Sequence, residues 1–258
     1  MKNTYEITLF DGNGYNINGH VKYLHLNVFE NDHDINIKRY SFTSDLTNDE
    51  DYSDEINWCI NYLLLEIYNG GRILCGHKPF IPHYMNNQLK SLDNHVKAYE
   101  AINKHIFDSN SLNAKDTEFT NVMRIIMESK NLRDLSILLN RVTLQDENSL
   151  INLYKIKDFI RTYKDLFSKY NQQYNDEIKR INAVYKSLDK YHRLVNNYLT
   201  IGLAARHGLQ TQSPTKKDYD INEIIKVSIE AIQLVINFSK RNILFNIDNL
   251  VELDLNNK

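Results

Sequence analysis

Cysteine, proline and glycine are all scarce in this sequence: its 258 residues include 2, 3 and 8 of them. Two thiols, Cys59 and Cys75, are too few for a disulfide framework. The shortage of Pro and Gly, set against abundant Asn, Ile, Lys and Tyr, follows AT-rich codon usage and points to a low-GC bacterium or its phage. Strong charge of one sign is also missing. The net charge of −2 excludes a generally basic nucleic-acid binder, so any contact with nucleic acid has to use a local patch. No apolar run approaches the roughly 18 residues of a membrane span. The opening residues MKNTYEITLF lack the apolar core of a secretory signal, and the expectation is a cytoplasmic protein with no membrane association. P-loop, dinucleotide, nucleophile-elbow and zincin signatures are absent, and no cofactor is expected.

What is present divides into an alternating first third and a helical remainder. Residues 4–10, 21–30 and 34–43 alternate apolar and polar side chains as strands do, with turns at Asp11-Gly12-Asn13-Gly14 and Asn31-Asp32-His33. An acidic loop follows, holding Asp45, Asp49, Glu50, Asp51, Asp54 and Glu55. It lacks the ligand order of a calcium loop and is expected to cap the next helix. Ile56, Ile60, Leu63, Leu64 and Ile67 recur at helical spacing, Gly70-Gly71 reads as the stop, and residues 72–76 read as a fourth strand. The expected head, residues 1–80, is therefore β-β-β-α-β. Pro79 and Pro82 mark the boundary, and residues 81–258 read as a helical bundle. The expected fold class is α+β: a small, mostly antiparallel sheet with one helix, then an all-α bundle.

In the bundle, apolar stripes predict helices through Leu92–Ile106, Phe119–Met127, Leu132–Val142 and Ile151–Tyr170. A further stripe runs from Ile178 to Leu199, toward Arg206-His207-Gly208. The last helix opens with Asp220 and Glu223 at capping-box spacing and carries Ile221, Ile225, Ile229, Ile232 and Ile236.

Arg206-His207-Gly208 has two readings. As a helix end, Gly208 supplies the left-handed residue, and the two basic side chains in the last turn face the negative end of the helix dipole. As a nucleolytic pair, His207 transfers a proton from a ribose 2′-hydroxyl while Arg206 neutralises charge on phosphate oxygens, with Asn197 or Asn196 orienting either. Neighbours on a helix diverge by about 100°, so both could face one substrate only with help from the loop or a second subunit.

LINLYKIKDFI, GLAARHG and DINEIIKVSIEAIQLVI stand in an order that resembles a loose group of uncharacterised bacterial proteins, some carrying a methylamine-utilisation label. Their helical part is similar to HEPN domains, short bundles that often dimerise and cut RNA in toxin and phage-defence systems. The resemblance covers residues 130–238. It implies a defence or stress protein, a homodimer or an effector partner, and RNA as a possible substrate. Its most concrete enzymatic form is a metal-independent endoribonuclease with His207, Arg206 and Asn197 in the site; the alternative is a non-catalytic adaptor or sensor. Active HEPN ribonucleases carry their Arg and His about a turn apart on one helical face, whereas Arg206 and His207 are adjacent.

Residues 155–193 interleave tyrosines with basic side chains, among them Arg180, Lys186, Lys190 and Arg193. These could track an RNA backbone, or could form the solvated side of long helices. Cys59, Cys75, His77 and His83 lack paired zinc-ligand spacing, and no metal site is expected.

Overall fold

The computed structural model describes residues 7–9, 24–30, 38–48, 52–82, 91–105, 107, 118–209, 213–214 and 219–258. The expected turns at Asp11–Gly14 and Asn31–His33, the acidic residues Asp49–Asp51, and His83 lie outside them. The chain forms two compact units, Met1–Glu128 and Ser129–Lys258, where the sequence expectation placed the change at residue 80.

In the first unit, strands β1 (Ile7–Leu9), β2 (Leu24–Glu30) and β3 (Lys38–Ser44) make an antiparallel sheet of order β1-β3-β2. Phe42 is paired with Ile7 on one side and Leu26 on the other. Helix α1 (Asp54–Leu74) follows. Ser53 caps it, accepting from the Ile56 N–H at 3.5 Å, and Asp54 and Glu55 in its first turn suit the positive end of the helix dipole. Every residue from Cys59 to Leu74 is buried, so the helix has no solvent face and its polar residues must find partners inside. Asn69 does so by pairing its amide with the Phe80 backbone in both directions, each bond 2.8 Å. Arg72 donates from Nε to the Lys78 carbonyl at 2.8 Å and lays its guanidinium over the Phe80 ring.

The expected stop at Gly70-Gly71 and the expected strand at residues 72–76 are both overturned. The helix runs on to Leu74 and ends in a Schellman motif: the Gly76 N–H donates to the Ile73 carbonyl at 3.0 Å and the His77 N–H to the Arg72 carbonyl at 2.8 Å. Gly76 takes the left-handed φ of 76° that the motif needs. Gly71 serves a different purpose. A Cβ there would fall inside the van der Waals contact of Met123 Sδ and lie 3.5 Å from Phe119 Cε2, so the missing side chain lets α3 (Glu118–Glu128) approach α1 closely. Gly71→Ala is expected to lower stability by about 1–3 kcal/mol through overpacking, read as a lower urea midpoint. Helix α2 (Leu92–Lys104) packs on α1 through the fully buried Ala98 and Ile102.

The second unit is a helical bundle. Helices α4 (Lys130–Thr143), α5 (Ser149–Tyr170), α6 (Asn175–Asp189) and α9 (Ile221–Ser239) form a closed ring in which each packs on the next. Leu135, Leu139, Ile156, Ile160, Ile181, Ile232 and Val235 fill its interior. Asp220 caps α9 as expected, accepting from the Asn222 N–H at 2.8 Å, while Glu223 is engaged by Lys190. Helix α10 (Ile247–Asn256), for which no apolar stripe was expected, packs on α5 and α4. Its Asp248 accepts the Lys130 and Asn131 N–H groups at 2.8 and 3.1 Å, adding a cap from a distant helix to the local Ser129 cap of α4. Asp248→Ala is expected to cost about 1–2 kcal/mol, with the loss of protection in amide exchange largest over the first turn of α4.

The α+β expectation is corrected by this arrangement. Helix dominates the described residues, the expected fourth strand is helix, and the class is all-α, the three short strands being a minor addition to it. No helix among the described residues is long and apolar enough to cross a membrane.

Candidate functional site

The stripe from Ile178 to Leu199 is not one helix. Helix α6 stops at Asp189, and α7 (His192–Asn196) and α8 (Tyr198–Ile201) follow as short separate pieces. Asn197 makes the break between them. Its backbone is extended, its Oδ1 accepts from the Thr200 N–H at 3.1 Å, and its Nδ2 donates to the Ser213 carbonyl at 2.8 Å. An Asn side chain that satisfies the backbone locally competes with continued helix. The left-handed residue is Gly202, at φ 59°, rather than Gly208. Arg206 and His207 therefore lie in irregular chain beyond a 3-10 turn, not in the last turn of a helix, and the helical divergence of their side chains does not apply.

The Arg206 N–H donates to the Val195 carbonyl at 2.8 Å, which hooks this segment back onto α7. Its guanidinium then lies 4.0 Å from the centre of the Tyr154 ring on α5. Two other basic side chains meet the same ring. Lys157, one turn further along α5, places Nζ 4.6 Å from its centre, and the His192 ring stands 5.7 Å away at a tilt of 36°. Tyr154 is thus the floor of a cluster built from α5, α7 and the hook.

Lys157 is almost wholly buried and touches Asp189 Oδ1 at 3.0 Å and His192 Nδ1 at 2.9 Å. The other imidazole nitrogen, Nε2, faces the Asn196 amide at 3.3 Å. His192 is exposed overall, but the face packed on Tyr154 and Lys157 is withdrawn from water. That desolvation, followed by the Lys157 charge, holds its pKa below the usual imidazole range, with Arg206 adding to the effect and Asp189 and Asp158 opposing it. That lowering favours the neutral imidazole. Lys157 is matched by Asp189, and Asp158 lies 3.9 Å from Arg161. Arg206 has no carboxylate within ion-pair distance among the described residues, so the uncompensated charge of the cluster is its own. A guanidinium stacked on an aromatic face keeps its N–H edge available for a bidentate oxyanion.

The residues expected from sequence are distributed unevenly over this geometry. Arg206 belongs to the cluster. His207 is exposed and has no side-chain partner among the described residues, while both amide atoms of Asn197 are engaged in holding the hook. Of the expected RNA-contacting residues, Lys190 pairs with Glu223 and Arg180 lies over the Phe238 ring. Lys186 and Arg193 are exposed, with no ion pair among the described residues. Cys59 is buried in α1 and Cys75 follows its last residue; among the described residues no three His, Cys, Asp or Glu side chains gather as a metal site would require.

Tyr154, Lys157 and His192 form the part that the sequence reading did not assemble. A signal for it exists: Leu150, Leu153, Lys157 and Ile160 fall at helical spacing on one face of α5, so a lysine occupies a core position and needs an internal partner.

Comparison with known proteins returns no match from any protein-family model, curated protein or solved structure.

Proposed function

We propose that the second unit is an RNA-recognising bundle of the HEPN-like kind, within a bacterial or phage-related defence or stress protein, and that it engages a phosphodiester at Arg206. The observation that carries this reading is the uncompensated guanidinium stacked on Tyr154 beside the His192 imidazole. Exposed Lys186 and Arg193 add positive charge with no carboxylate against it among the described residues. The four-helix ring spans Lys130 to Ser239, which is the stretch over which the sequence resembles HEPN domains. A metal-independent endoribonuclease is the catalytic form of this reading, with His192 in place of His207 as the imidazole beside Arg206.

A non-catalytic adaptor that dimerises or docks onto an effector is a second reading. It is favoured by Leu203 and Leu209, which flank Arg206 and are 89% and 78% exposed.

Incubating the purified protein with total RNA in EDTA separates these readings. RNA bound and recovered intact supports recognition without cleavage. Fragments that vanish with His192→Ala support the nuclease. No binding at low salt excludes RNA and leaves the adaptor.

A further inference from the structure

Within the site proposed for RNA, we infer that Lys157 is a positioning residue that locks His192 as a neutral imidazole protonated on Nε2, withholding it from proton abstraction. An ammonium group has three N–H donors and no lone pair, and Lys157 Nζ is ion-paired with the Asp189 carboxylate at 3.0 Å. The 2.9 Å contact between Lys157 Nζ and His192 Nδ1 is therefore a hydrogen bond in which Nδ1 accepts. A neutral imidazole accepting at Nδ1 carries its proton on Nε2.

Asn196, one turn along α7, meets that proton. The two ends of a side-chain amide have the same shape, and their assignment follows the hydrogen-bond network. Asn196 Oδ1 is buried and without a partner, while Nδ2 stands against the ring nitrogen that must donate. A half-turn of the amide presents Oδ1 to Nε2–H and removes the conflict between donors there, while turning Nδ2 to the buried position that Oδ1 leaves. The chain then runs in one direction: Lys157 donates to Asp189 and to His192, and His192 donates to Asn196. Tyr154 and Arg206 flank the ring, and Asp158 lies nearby. Among the described residues none of these is hydrogen-bonded to Nδ1, where Lys157 stands.

The consequence for chemistry is specific. General-base removal of a ribose 2′-hydroxyl proton needs an imidazole lone pair aimed at the substrate. In this arrangement one ring nitrogen is held by Lys157 and the other already carries hydrogen. Of the two forms of the RNA reading this selects recognition without cleavage: the cluster holds an RNA phosphate at Arg206 and leaves the strand uncut, and RNA fragments that vanish with His192→Ala would overturn it. This consequence rests on the RNA reading; the assignment of the tautomer does not.

The test is a long-range 1H–15N correlation spectrum of the full chain labelled at its nine histidines, recorded at neutral pH without RNA. The His192 signals are identified by their loss in His192→Gln. The expected pattern is a single neutral tautomer protonated on Nε2. Lys157→Met should move it to the mixture of tautomers seen in a free imidazole, and Lys157→Arg, which also brings only donors, should restore it. A wild-type His192 protonated on Nδ1, averaging between tautomers or charged at neutral pH overturns the inference without any variant. If the tautomer is as expected and RNA fails to bind, the role of Lys157 stands and the RNA reading falls.

Discussion

Phe167→Ala is expected to lower the unfolding free energy of the second unit by about 3–5 kcal/mol, the range for removing a fully buried aromatic ring. Phe167 is 0% exposed. Its ring lies 5.7 Å from Tyr163, 6.5 Å from Tyr174, 6.0 Å from Phe238 and 5.0 Å from Phe245, centre to centre. Those partners come from α5, the loop before α6, α9 and the 3-10 turn before α10. Collapse around the lost ring would have to move several elements at once, so the cavity should persist. Tyr163 ties the same cluster together, its hydroxyl donating to the Phe245 carbonyl at 2.9 Å, and burial raises its pKa above the ordinary phenol range. Urea denaturation followed by circular dichroism reads the effect. A loss under 1 kcal/mol would mean that this end of the bundle is loosely packed.

Arg206→Ala is expected to weaken binding to single-stranded RNA about tenfold or more and to reduce the salt dependence by about one phosphate contact. A hydrogen bond to a charged group contributes about 1.5–3 kcal/mol, and about 1.4 kcal/mol is tenfold. Because Arg206 has no carboxylate partner among the described residues, its removal should not strand a buried charge, and stability should change little. Lys190→Ala is the matched control: its ammonium is engaged by Glu223, so its loss should change affinity less. Measuring affinity over a range of salt concentrations for both variants checks the pair. Equal losses would point to a diffuse basic surface instead of a site at Arg206.

The bundle helices were largely legible because apolar spacing reports burial directly. Leu132, Leu135, Leu139 and Val142 of α4 line the core where the 3.6-residue period puts them, whereas on α9 the expected stripe is displaced: Ile232 and Ile236 are buried, Ile221, Ile225 and Ile229 are half-buried, and Ile224, Ala231 and Val235 fill the core instead. The failures share a cause: a polar or small residue whose role depends on a distant neighbour. Gly71 reads as a stop until Met123 is seen against it, and Asn197 reads as one more helical residue until its amide is seen capping α8 and holding Ser213. Helix α10 offers only Ile247 and Leu250 as buried apolar residues, too short a stripe to register. Arg206 was legible as a candidate because basic residues stand out beside a glycine. Its partners were not, since Tyr154, Lys157 and His192 meet it only after the chain breaks at Asp189 and folds back through the Arg206–Val195 hydrogen bond.

The most direct test of the phosphate site is a titration of 15N-labelled protein with a short single-stranded RNA, following the Arg206 Nε–H signal and the backbone amides of residues 192–207. Saturable shifts are expected that begin at Arg206 and His192, are absent in Arg206→Ala, and leave α10 unchanged. Shifts confined to other surfaces, or none at RNA concentrations that saturate a gel shift, would contradict it.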